Sequence, residues 1–386
     1  MDDYGQKLYQ GVTTMQCLLA ALLLQMTHSA GVPLLNGLKF AETRPGFQQL
    51  PTRGVLSFPT EGSARVVVLF NPLGRSRTTH LLQAVDSANV CVRNADGSLR
   101  PAQINPLFSS DLTSRQSGYE LVSPIEVPAF AVKIVELVRD AACDITMAAV
   151  WQSSGSNDAE FPTQEGGSSV VLENEHVSAT FSNGLLDTVR PSAGRDSNVK
   201  ESFAKYHTTK SGAYIFVPNG EAAPVAVDTV RHITGPFVSI VHAIVQGHVA
   251  RSARLGQGDL GLSMDHYVDI TAQSNEEWIV RYDTDYVTGR TLYTELNGWT
   301  TDRHIIRDDD DVPLQTKYFP MPAGAFLEDG NTQRRMSLQG AQACGVGSMS
   351  EGSVEIMLDR RLTKDDGRGM NEVCHSRKCL RCWCIV

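Results

Sequence analysis

Three things are missing or scarce in these 386 residues, and each removes a class of function. No run of about 18 apolar residues occurs, so no segment reads as a membrane-spanning helix. Basic residues are outnumbered, with 34 Lys and Arg against 43 Asp and Glu and a net charge of −9. That leaves no basic stripe to displace counterions from phosphates, which excludes a nucleic-acid partner. Compact catalytic signatures are missing too. There is no Gly-x-Ser-x-Gly elbow and no His-x-x-x-His spacing of the zinc-protease kind. Gly256-Gln257-Gly258 does not stand between a strand and a helix, as a phosphate cradle requires. No Asn-x-Ser/Thr glycan acceptor is present.

What is present is ordinary globular material, 41% hydrophobic and 20% charged. At about 100–200 residues per domain, the length predicts two or three domains. Tyr4, Leu8, Val12, Met15, Leu19, Leu22 and Met26 recur at steps of three and four, the stripe of an amphipathic helix. Asp2 and Asp3 outweigh Lys7, so the apolar stretch Cys17–Leu24 does not read as a signal peptide. A second short helix is expected around Asn36–Glu42. From Arg65 the pattern becomes that of short strands: Arg65–Phe70, Leu81–Val85, Val90–Arg93 and Ala131–Val138, then Val170–Glu173, His176–Phe181, Gly184–Val189, Ala213–Val217, Phe237–Val245, Trp278–Asp283, Leu292–Asn297, Lys317–Phe319, Arg335–Leu338 and Val354–Leu358. Asn183-Gly184, Asn219-Gly220 and Asn297-Gly298 are turn dipeptides between them. Trp278, Val280 and Tyr282 share one face of their strand, with Ile279 and Arg281 on the other. The expected architecture is mainly β: a short N-terminal helical segment over 1–50, a small β-domain over 51–151, a Ser- and Gly-rich linker or loop over 152–169, and a large antiparallel sandwich over 170–369.

Of the cysteines, Cys17, Cys91, Cys143 and Cys344 are scattered and allow three pairings, with nothing to choose among them. Cys374, Cys379, Cys382 and Cys384 crowd the tail beside His375 and Trp383. Structural zinc sites join two separated knuckles, and this cluster has only one, so the tail 370–386 reads as disordered. His232, His242 and His248 read as structural imidazoles. The Asp308–Asp311 run lacks the interleaved oxygen spacing of a calcium loop and reads as solvated.

The stretch with most chemistry is Leu358-Asp-Arg-Arg-Leu-Thr-Lys-Asp-Asp-Gly-Arg-Gly369. It packs arginines, a lysine and aspartates into a loop leaving a strand. Arginine forks and carboxylates suit a polyhydroxylated ligand, although exposed ion pairs of a solvated loop would look the same. An internal ion pair of Asp359 with Arg360 is one such alternative.

Four patches carry a resemblance: Lys210-Ser-Gly-Ala-Tyr-Ile-Phe-Val-Pro-Asn-Gly220, Thr294-Glu-Leu-Asn-Gly-Trp299, Pro313-Leu-Gln-Thr-Lys-Tyr-Phe-Pro-Met-Pro322 and the Leu358–Gly369 stretch. The region Val177–Gly369 resembles the C-terminal β-domain of glycoside hydrolase family 38, most closely the Golgi α-mannosidase II type. Asp3-Tyr4-Gly5 with its helix, and Arg65–Gly74, resemble the upstream parts. The resemblance implies a galactose-mutarotase-like sandwich over 170–369, a remnant of a three-helix bundle over 1–50, and a non-family tail over 370–386. It implies retaining hydrolysis of α-mannosides, trimming mannose-containing N-glycans in the Golgi or secretory-pathway lumen. Retention needs two carboxyl groups about 5 Å apart. In the family the nucleophile and a zinc ion belong to an N-terminal barrel whose motifs are not found here, so this chain is expected to hold no catalytic residue and no metal. What carries over is a pocket wall: Tyr214, then Arg368 or Arg361, with Asp365 and Asp366 bracing the arginine or contacting the ligand. Past Gly369 the family pattern stops, which would leave an unpaired sheet edge open to self-association. The alternative to an enzyme portion is a non-catalytic carbohydrate-binding or interaction module.

Overall fold

The computed structural model describes residues 2–29, 39–46, 49–154, 158–164, 167–307, 313–368 and 377–385, with the backbone alone for 2–5 and 377–385. The chain forms two compact units, one built mainly from residues 1–149 and the other mainly from 150–386. Among the described residues, apart from one helix and a 3₁₀ turn, the regular structure is strand, almost all of it antiparallel.

In the first unit the helix spans Asp2–Ser29, as the three-four spacing predicts. Its orientation is the reverse of what that spacing suggests. Leu23 and Thr27 are buried, whereas Leu8, Val12, Met15, Leu22 and Met26 of the apolar stripe are exposed. The expected second helix is not found where the chain is described: residues 36–38 lie outside the described residues, 39–41 are irregular, and Glu42–Thr43 is a short strand paired with Thr52–Arg53. Two four-stranded sheets follow. One runs Ile145–Met147, Ala102–Phe108, Arg115–Val127, Arg77–Val85, and the other Ala64–Asn71, Ala131–Arg139, Val90–Arg93, Leu99–Arg100. Ile104, Val85, Leu121 and Leu137 fill the core. Cys91 and Cys143 form a disulfide.

The second unit is a sandwich. One sheet of nine strands has the order Ser169–Glu173, Val177–Ser182, Leu185–Pro191, Ser197–His207, Glu276–Thr284, Ser353–Arg361, Cys344–Gly347, Tyr318–Met321, with Ala223–Val225 paired on Ser197–His207. Opposite it, a ten-stranded sheet includes Val227–Thr234, Val238–Val245, Val249–Gly256, Leu262–Asp269, Arg335–Gly340, Gly324–Glu328, Thr291–Leu296 and Thr300–Ile305. Alternate side chains of the two sheets meet in one core: Phe181, Phe203, Trp278, Val280 and Tyr282 against Val241, Val245, Ala253, Met264 and Leu338. This is the period-two logic of strands facing each other. Arg251 and Glu201 cross that core as a fully buried pair at 2.8 Å, and Arg251 also donates to the Val241 carbonyl. Turn chemistry matches its residues at Asn183 and Gly184, whose φ angles of 49° and 78° close a two-residue hairpin.

The tail corrects two expectations. Arg377–Ile385 is a strand, not a disordered end, and it lies inside the ten-stranded sheet between Leu262–Asp269 and Arg335–Gly340. Both of those strands are therefore paired at the position where an open edge was expected. Cys374, His375 and the Asp308–Asp311 run fall outside the described residues. His232 and His242 are buried in the ten-stranded sheet, where desolvation pushes His232 down to about 4 as it stacks on Trp151. His242 is likewise held well below the usual imidazole range by burial.

Candidate functional site

The outer face of the nine-stranded sheet carries the charged residues. Glu277, Ile279 and Arg281 point there, opposite in parity to Trp278, Val280 and Tyr282. On the neighbouring strand Glu355 and Met357 share that face. The register then slips by one residue between Trp278 and Ile279, where Ile279 opposes Met357 but Trp278 opposes Asp359. Such a bulge re-aims the side chains beyond it. It sets Arg360 directly across from Glu277, and the guanidinium takes one carboxylate oxygen with Nε at 2.8 Å and Nη2 at 2.5 Å. Glu277 is 0% exposed at its side chain, and burial raises its pKa despite the guanidinium, which pulls the other way.

A second buried group lies beside it. Glu355 accepts from Tyr206 at 2.6 Å, Tyr318 at 2.5 Å and Arg281 at 2.8 Å. Burial, and then the Glu355 charge, push both phenols up. Phe216 packs edge-on against both rings, at 5.3 and 4.9 Å.

Over this face runs residues 208–217. The β-branched and aromatic residues of Ala213–Val217 predict a strand, but the segment is irregular. Side chains take the backbone groups that a partner strand would have taken. Thr208 Oγ1 donates to the Val217 carbonyl and accepts from the Ser211 amide. Ser211 Oγ accepts from the Val217 amide and donates to Glu277. Arg360 Nη2 donates to the Ile215 carbonyl at 2.9 Å.

The charged loop closes the arrangement. Asp366 Oδ2 accepts from the Tyr214 amide at 2.8 Å and the Ile215 amide at 3.3 Å, and its Oδ1 accepts from the Arg368 amide at 3.1 Å. Those amides, with the Arg368 charge, hold its pKa below the ordinary 3.8. Asp365 caps the Gly367 amide. Lys364 donates to the Thr209 carbonyl. Tyr214 is 60% exposed, and Arg368, at the end of the loop, is exposed as well. Arg361 faces elsewhere: its Nε reaches the Thr271 carbonyl at 3.5 Å, and its strand register sets it opposite Glu276. Thus Tyr214, Asp366 and Arg368 come together, while Arg361 stands apart from them.

Arg360, Glu277 and Ser211 complete the arrangement; Arg360 and Ser211 lie within two of the stretches singled out in the sequence, and Glu277 lies in none of them. The carboxylate partner of the Arg360 side chain is Glu277 rather than the adjacent Asp359, which accepts the Arg360 amide. A phenol can donate to and accept from a sugar hydroxyl, and a guanidinium can donate to a pair of them. Among the described residues, no three His, Cys, Asp or Glu converge as a metal-binding group.

The glycosyl hydrolases family 38 C-terminal domain matches residues 172–368, just over half of the chain. Mouse alpha-mannosidase 2x is 31% identical over 96% of this chain and 34% of its own length. Human alpha-mannosidase 2 is 27% identical over 96% of the chain and 34% of its length, and cat lysosomal alpha-mannosidase 28% over 96% and 36%. The chain thus spans about a third of the length of these curated relatives. A family 38 glycosyl hydrolase from Enterococcus faecalis shares the fold, with a TM-score of 0.56, 12% identity, and coverage of 83% of this chain and 44% of that one. The chain belongs to glycosyl hydrolase family 38.

Proposed function

We propose that this chain forms one wall of the substrate pocket in a retaining α-mannosidase that trims mannose from N-glycans, with the nucleophile and zinc ligands supplied by polypeptide other than these residues. The observation that carries this reading is the juxtaposition of Tyr214 and Arg368 on Asp366, two segments far apart in sequence joined at one carboxylate. Tyr214 and Arg368 bind sugar hydroxyls from this wall; Asp365 orders the turn that presents Arg368. The names of the relatives, alpha-mannosidase 2 and lysosomal alpha-mannosidase, support the substrate class and a lumenal compartment of the secretory pathway. So does the Cys91–Cys143 disulfide, since such bonds persist where the environment is oxidising.

The test is made on the 386-residue chain. It should hold methyl α-mannoside weakly, lose that binding on Tyr214→Ala or Arg368→Ala, and release no aryl leaving group from an aryl α-mannoside, even with zinc added. Turnover by a preparation free of other mannosidases would overturn the assignment of the chemistry to other polypeptide. Binding that is indifferent to both substitutions would overturn the pocket wall. Retained binding without a catalytic partner chain anywhere in the source would favour the non-catalytic binding module.

A further inference from the structure

Residues 208–217 have no strand partner, yet their backbone is fastened by side chains, and one of the distant fastenings is Asp366. Its carboxylate reaches across 152 positions of sequence to the Tyr214 amide. One oxygen serves Tyr214 and Ile215, the other serves Arg368. Both oxygens are thereby committed to main-chain donors. Asp366 fits against Gly212: a Cβ built there would lie 2.4 Å from the Asp366 Cβ, so the contact requires a glycine as well as a carboxylate. Lys364 adds a second tie between the same two segments through Thr209. The Tyr214 ring takes no part in any of this and projects outward.

We infer that Asp366 is a positioning residue, a clamp on the main chain that fixes the Tyr214 ring and the Arg368 side chain relative to each other without itself touching the ligand. What the ring and the guanidinium then contact rests on the pocket-wall reading above; the clamp does not. A carboxylate suits this task because it accepts several amides at once, and charge-assisted bonds of this type are about twice as strong as neutral ones. The two loops should consequently loosen together when the carboxylate is removed, and neither should loosen when the ring is.

Hydrogen exchange on the full 386-residue chain reads the clamp directly. In Asp366→Ala the amides of Tyr214, Ile215 and Arg368 should exchange faster by about tenfold or more, the loss of one charge-assisted hydrogen bond. The amides of Glu276–Thr284 serve as the internal control for an intact sheet and should not change. Gly212→Ala, which displaces the carboxylate without removing it, should reproduce the effect. Tyr214→Ala should leave the Arg368 amide at its original rate. Unchanged exchange at Tyr214 and Ile215 in Asp366→Ala overturns the inference, as does acceleration at Arg368 in Tyr214→Ala. Titration of each variant with methyl α-mannoside separates the two proposals. If the parent chain does not bind the sugar but the exchange pattern holds, the pocket wall fails and the clamp stands.

Discussion

Arg360 and Glu277 show how one offset in register converts a strand residue into a brace. Without the slip opposite Trp278, Arg360 would face the apolar core rather than Glu277. The pair is stabilising only as a pair. Removing the arginine leaves a carboxylate with no exposed side-chain surface, and such losses cost about 3–5 kcal/mol. Because Arg360 keeps 24% of its side chain in water, we expect Arg360→Ala to cost about 3 kcal/mol in denaturant unfolding. The cost should depend on pH, and its sign is fixed. Burial raises the folded-state pKa of Glu277 above 4.5, so the folded state takes up the proton first and stability rises as pH falls through that window. The deficit of Arg360→Ala should thus be largest well above that folded-state pKa and shrink toward acid. A deficit that grows on acidification would contradict this account. At this scale the sequence was only partly legible. The motif neighbourhoods of Tyr214 and Arg368 single them out, and the structure brings both to Asp366; Glu277 stands in no such neighbourhood, because its pairing depends on a bulge against a strand distant in sequence. The parity of Glu277 and Arg281, two charges on the face opposite Trp278, was the available signal.

Among the larger pieces, the helix Asp2–Ser29 is the instructive one. Apolar spacing correctly indicated a helix, and a stripe of seven residues is as clear as such patterns become. The same spacing was silent on which face is covered. Leu23 and Thr27 pack inward, whereas Leu8, Val12, Met15, Leu22 and Met26 of the stripe face water. Substitutions should register this inversion: Leu23→Ala should cost about 2 kcal/mol or more, whereas Met15→Ala should stay within about 0.5 kcal/mol. Thermal unfolding of the two variants side by side decides it, and equal losses would mean the stripe is covered after all. Strands with a clean apolar run, such as Ala64–Asn71 and Val238–Val245, were legible. Ser197–His207 was not, because Lys200, Glu201 and Lys205 interrupt it; its buried positions still alternate, at Val199, Glu201 and Phe203. Ala213–Val217 failed the other way. Its composition suits a strand, but Thr208, Ser211, Arg360 and Asp366 satisfy its backbone from their side chains.

At the level of the molecule, the two units are stabilised by different means. The sandwich has a broad apolar core around Trp278, Phe203 and Tyr282. The smaller unit adds a covalent link, Cys91–Cys143, across a separation of 52 residues. On a chain-entropy estimate a loop of that length contributes about 4 kcal/mol. Replacing both cysteines with serine should therefore lower protection from hydrogen exchange in Ala131–Arg139 and Val90–Arg93, with the strand Glu276–Thr284 unaffected. Equal loss in both places would show that the two units unfold as one. The pairing itself was beyond the sequence, since four scattered cysteines allow three solutions and only the fold brings these two within reach.

The placement of Arg377–Ile385 has a consequence for how the polypeptide acquires its shape. A central member of the ten-stranded sheet follows both of its neighbours in sequence. Leu262–Asp269 and Arg335–Gly340 emerge from the ribosome well before it, and each must wait with one row of amides and carbonyls unsatisfied until it arrives. Closure of that layer is therefore a late, long-range event, the kind that sets a slow refolding rate and makes the waiting rims vulnerable to pairing with the wrong chain.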